Sequence, residues 1–125
     1  MCAVGVLWAV STPTYSRGDG HWVPDSKTVG RIEQVIRQMP LPKTGNWIAT
    51  STDSYGRYYT GVTLNGRKVV FGVFLSADRT RYPPGIHIVP FEGQPRMTGG
   101  GCTQLNVWYD VAEDRVTEFH CYGLG

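Results

Sequence analysis

Tyr58-Tyr59-Thr60-Gly61-Val62-Thr63-Leu64, then Asn65-Gly66-Arg67, then Lys68-Val69-Val70-Phe71-Gly72-Val73-Phe74-Leu75 is the stretch whose reading decides the fold. Asn-Gly most readily adopts the two positive-φ positions of a type I′ turn, and that turn matches the twist of two antiparallel strands. The flanks are rich in β-branched and aromatic residues. They therefore read as the arms of a hairpin, from Tyr58 to Leu64 and from Lys68 to Leu75. Val69 to Leu75 is apolar on both faces, as expected of a central strand with a helix across one side.

That helix lies upstream. Pro24-Asp25-Ser26 offers side chains that can cap the free amides of a first turn. Val29, Ile32, Val35, Ile36 and Met39 then recur at three- and four-residue spacing, and form one apolar stripe. Lys27, Arg31, Glu33, Gln34, Arg37 and Gln38 are expected on the wet side. Pro40 and Pro42 end the helix, because each lacks an amide donor and disfavours helical geometry just before it.

Further strands are expected at Trp47 to Thr52, Ile86 to Val89, Gln104 to Tyr109 and Arg115 to His120. Ser11 to Gly20, Ser76 to Pro84 and Phe91 to Gly101 read as loops. The assembled expectation is an α+β fold with one helix packed on a twisted antiparallel sheet of five to six strands. Consecutive hairpins need no crossover, so a meander is expected. At 125 residues the chain reads as a single domain, 1–125, with 41% hydrophobic residues arguing against disorder.

The closing hairpin carries two of the three cysteines. Strands on either side of Asp110-Val111-Ala112-Glu113-Asp114 bring Cys102 and Cys121 nearly opposite each other, where a disulfide can form. Such a bond would close a loop of roughly 20 residues, worth on the order of 3 kcal/mol in the loop-entropy view. It would place the protein in an oxidising compartment, periplasmic or secreted; with reduced cysteines the protein would be cytoplasmic. The apolar segment Cys2 to Val10 is too short to span a bilayer and reads as a buried strand. The remnant of a trimmed signal sequence and a lipoprotein cysteine at Cys2 are the competing readings of that segment.

A formal charge of +2 gives no electrostatic reason to expect a nucleic-acid partner. No cofactor is expected. Gly99-Gly100-Gly101 opens a strand, whereas a phosphate cradle opens a helix. No metal is expected either, because His120 and Cys121 are adjacent on a strand and point to opposite faces.

The leading functional expectation is a non-enzymatic protein-binding domain of inhibitor or immunity type, whose partner is a hydrolase or a toxin. Asp53 to Tyr59 and Ala77 to Pro84 are the expected contact loops, with Tyr55, Arg57, Tyr58, Arg79, Arg81 and Tyr82 as contact residues. Tyr and Arg offer large contact area with a polar tip. The alternative is a small ribonuclease or toxin-like hydrolase. There His120 or His87 and Glu118 would exchange protons while Arg67 or a neighbouring cation stabilises a phosphorane-like transition state. A third reading is an apolar ligand pocket near Trp8, Trp47 and Phe74.

Overall fold

The structure, a computed structural model, describes residues 20–44, 47–48, 51–76, 82–95 and 101–122. The hairpin at its centre is β4 (Tyr55–Leu64) and β5 (Arg67–Ser76), paired antiparallel from Tyr55 opposite Ser76 to Leu64 opposite Arg67. Asn65 (φ 52°) and Gly66 (φ 79°) turn the chain with two left-handed residues, as a type I′ turn requires. β7 (Gln104–Asp110) pairs antiparallel with β5, and β8 (Arg115–Cys121) pairs antiparallel with β7. A register shift between Trp108 and Tyr109 bends this last pair.

The far edge of β4 departs from a meander. β1 (His21–Trp22) pairs with Val62 and Gly61, while β6 (Gly85–Ile88) pairs parallel with Gly56 to Tyr59. A meander would need β6 beside β5, but β7 already takes that edge. Tyr82-Pro83-Pro84 holds the chain extended as it passes the start of β4, and Gly85 (φ 119°) lets it turn into the new strand. The six-stranded sheet is thus antiparallel except for this one parallel pair. A separate two-stranded piece joins β2 (Lys43–Thr44) to β3 (Trp47–Ile48). Strand geometry does not continue to Thr52, because Ser51 caps a short 3-10 turn over Thr52–Ser54.

The helix α1 (Ser26–Arg37) begins where Asp25 accepts a 2.8 Å hydrogen bond from the Thr28 amide. Val29, Ile32 and Ile36 point down and are almost fully buried. Each contributes about 1.5–3 kcal/mol by leaving water. Beneath them lie Tyr55 and Tyr59 of β4, Val70 and Phe74 of β5, and Leu105, Val107 and Tyr109 of β7. Strand alternation sends the residues between these to the opposite face of the sheet. Arg31 ties the helix to the β7–β8 turn through Asp114, with nitrogen–oxygen distances of 3.0 and 2.9 Å.

Cys102 and Cys121 form a disulfide, their Cα atoms 4.6 Å apart, under the helix-side core. Among the described residues no helix is long and apolar enough to cross a membrane. Cys2 and Trp8 lie outside the described residues, as do Arg79 and Arg81.

Candidate functional site

One row of paired residues crosses the helix-free face: His87, Tyr58, Val73, Asn106 and His120, one from each of β6, β4, β5, β7 and β8. Three residues expected to carry function, His87, Tyr58 and His120, stand in this row. His120 sits at one edge, where its Nε2 lies 3.1 Å from Glu118 Oε1, and both side chains are more than half exposed. His87 sits at the other edge. Four strand spacings separate the two histidines, about 19 Å, so they do not share a cleft.

Arg67 does not join the Glu118–His120 pair. Its guanidinium donates to Asp110 at 2.9 and 2.7 Å and lies 3.4 Å from Glu113. That hydrogen bonding holds the Asp110 carboxyl below its ordinary range. Asp110 is four residues along β7 from Asn106, the partner of His120. That is about 13 Å of strand. Among the described residues no three His, Cys, Asp or Glu side chains gather closely enough to hold a metal ion.

Two expected contact residues are interior. Strand β4 begins at Tyr55, so alternation turns Tyr55, Arg57 and Tyr59 inward towards α1. Tyr55 donates a 2.6 Å hydrogen bond to the Cys102 carbonyl. Arg57 is 5% exposed; its Nε donates to Glu33 Oε2 at 2.9 Å and its Nη1 to the Thr52 carbonyl at 2.8 Å. The Tyr59 hydroxyl donates to the same Glu33 oxygen at 2.6 Å. Burial, reinforced by the Glu33 carboxylate, pushes the Tyr59 phenol well above its ordinary pKa. Glu33 is therefore a buried acceptor, where helical spacing had assigned it to the wet side.

Tyr58 and Tyr82 do come together. Tyr58 stacks on His87 with ring centroids 4.6 Å apart, and Tyr82 meets Tyr58 edge-on at 6.3 Å. A 3.1 Å hydrogen bond between His87 Nε2 and the Pro83 carbonyl fixes the histidine ring. All three rings are half-buried. Partial burial also raises the Tyr58 phenol pKa.

Beside this cluster the same face opens into a cleft of about 300 Å³. Phe71, Phe91, Pro95 and Tyr122 line it together with Gln94 and Gln104. Phe71 is stacked on Trp108 at 4.4 Å, and Phe91 on His21 at 3.9 Å. Sequence reasoning missed this cleft. Its one visible signal was the apolar residues Phe71, Val73 and Leu75 on the face the helix does not cover. Phe74, expected near an apolar pocket, is instead fully buried among Tyr55, Tyr59 and Phe119. Trp8 and the side chain of Trp47 lie outside the described residues.

No family model, curated protein or solved structure matches the chain, so its chemistry is read from its own residues.

Proposed function

We infer that this chain is a non-enzymatic protein-binding domain of inhibitor or immunity type, acting in the periplasm or outside the cell. The observation that carries this reading is the Tyr58–His87 stack with Tyr82 set across it. Half-buried aromatic rings held by paired strands supply contact area while losing little entropy on binding. The Cys102–Cys121 disulfide supports the exported location, since such bonds persist in oxidising compartments. The proposed partner is itself a hydrolase or a toxin, met by this edge of the sheet.

The test is affinity capture from the native exported fraction with the wild-type chain and with Tyr58→Ala and Tyr82→Ala, circular dichroism confirming that each variant is folded. One stoichiometric protein held by the wild type and lost from both variants is the expected result. A partner held equally by the variants, or none held by the wild type, overturns the reading.

The hydrolase alternative rests on the Glu118–His120 contact, with its cation drawn from somewhere other than Arg67. RNA cleavage abolished by His120→Ala would favour it over the binding reading.

A further inference from the structure

We propose that β6 is a self-association edge, to which a second copy of this chain adds its own β6, antiparallel, about a two-fold axis through His87. Among the described residues β6 pairs only with β4. The Val89 amide donates to the Tyr59 carbonyl at 2.9 Å, and Tyr59 stands opposite Ile88. In a parallel ladder that phase turns the backbone polar groups of His87 and Val89 towards β4 and those of Ile86 and Ile88 away from it. A set of donors and acceptors therefore faces outward along the rim of the sheet.

The register favours a second copy as the occupant. Centred on His87, an antiparallel pair sets Ile86 of each copy opposite Ile88 of the other. These are the outward-facing residues, so each such pair exchanges both of its backbone hydrogen bonds, and symmetry repeats the exchange. On the helix side the same pairs join β-branched side chains, a favourable cross-strand combination. On the other side the two His87 rings come side by side at the axis, each stacked on its own Tyr58. Pro84 and Pro90 flank the strand and have no amide to give. Slipping the register by two residues would set one of them against a waiting carbonyl, so the pairing centred on His87 is the one that fits.

Surface chemistry points the same way. Ile86 is 47% exposed, and Val23, 62% exposed, follows β1 on the same outer edge of β4. The strand itself, Gly85-Ile86-His87-Ile88, carries no Lys, Arg, Asp or Glu. The opposite edge is guarded, since β8 carries Arg115 and Glu118 and a register shift against β7. Charges and bulges on an edge strand discourage pairing, and an apolar edge without them invites it. The strand is short, so the contact is small and the dimer reversible rather than obligate. The pairing uses the rim of β6 and leaves Tyr58 and Tyr82 on the helix-free face, so it does not depend on the protein-binding reading.

The test is sedimentation of the full, disulfide-intact chain from about 1 µM to about 1 mM, with amide exchange followed at both ends of that range. A reversible monomer–dimer equilibrium is expected, with the Ile86 amide exchanging fast in the monomer and slowly in the dimer. Ile86→Lys, at an exposed position, should weaken association by about tenfold or more. Ile86→Pro removes only an outward amide, so it should do the same while the pairing with β4 persists; circular dichroism checks both folds. The proposal is overturned by monomer throughout the range, or by a dimer that either folded variant leaves unchanged. An Ile86 amide already slow in the monomer also overturns it, because another part of this chain would then cover the edge.

Discussion

Arg57 and Glu33 meet at 2.9 Å in the interior, with side chains only 6% and 10% exposed, and this pair fastens the helix to the central hairpin. Glu33 also accepts from Tyr59, and Arg57 also satisfies the Thr52 carbonyl, so neither charge is left bare. Removing one partner strands the other without water. Arg57→Ala and Glu33→Ala should each lower unfolding free energy by about 3–5 kcal/mol in chemical denaturation. The double variant should lose much less than the sum, because it leaves no orphaned charge.

Tyr59→Phe tests the third member of this network more gently. It deletes one hydrogen bond to Glu33 while keeping the ring, and should cost about 1–2 kcal/mol in the same measurement. A neutral result would show that Arg57 alone satisfies the carboxylate.

The contact of Asp114 with Arg31 and Tyr109 sets a pH window. Hydrogen bonding from Arg31, then from Tyr109, lowers the Asp114 carboxyl from 3.8 to about 2. Its folded value is depressed, so its contribution is present above 3.8 and lost as pH falls through about 2. Burial, then the Asp114 contact, raises Tyr109 from 10.0 to about 12, so its contribution is intact below 10.0 and lost as pH climbs through about 12. Denaturation midpoints followed against pH should therefore fall less steeply on the acid side for Asp114→Asn. On the alkaline side, Tyr109→Phe should show the flatter profile.

Gly61 lies directly against Trp22. A Cβ there would fall 2.5–2.6 Å from Cδ2 and Cε2 of the indole, and the indole Nε1 donates to the Val62 carbonyl at 3.1 Å. Gly61→Ala should push β1 off the edge of β4. The expected signs are red-shifted tryptophan emission and a loss of about 1–3 kcal/mol from overpacking.

The disulfide predicts a count. Of the three cysteines, two are joined, so denatured but unreduced protein should titrate one thiol. Reduction should lower stability by about 3 kcal/mol for a bond spanning 19 residues. Three reactive thiols in protein recovered from an oxidising compartment would remove the argument for export.

Features written in short-range chemistry are legible in the sequence. Asn65-Gly66 meets a local steric demand, Asp25 caps a local helix end, and the Cys102–Cys121 pairing follows from one hairpin. Features that depend on partners distant in the chain are not. Glu33 has the spacing of a solvent-facing helix residue, and Arg57 and Tyr59, 24 and 26 residues later, make its burial tolerable. Alternation at Tyr55, Arg57 and Tyr59 held the clue, but a strand start three residues earlier than the pattern indicated was needed to use it. β6 reads as a strand in isolation, yet nothing local says that it crosses to the far side of β4. The cleft escaped for the same reason, since its walls come from β5, the Phe91 turn and Tyr122.

The parallel pairing of β6 with β4 has a consequence for the order of assembly. Pairs closed by neighbouring segments, such as β4 with β5 or β7 with β8, need only short loops to shut. β6 must return past the start of β4 to reach its place, and such non-local closure comes at a greater entropic cost. The cluster of Tyr58, Tyr82 and His87 exists only after that return. A chain with its hairpins formed but β6 still undocked would carry all three residues and no assembled surface. Recognition at this edge would then be reserved for molecules that have finished folding.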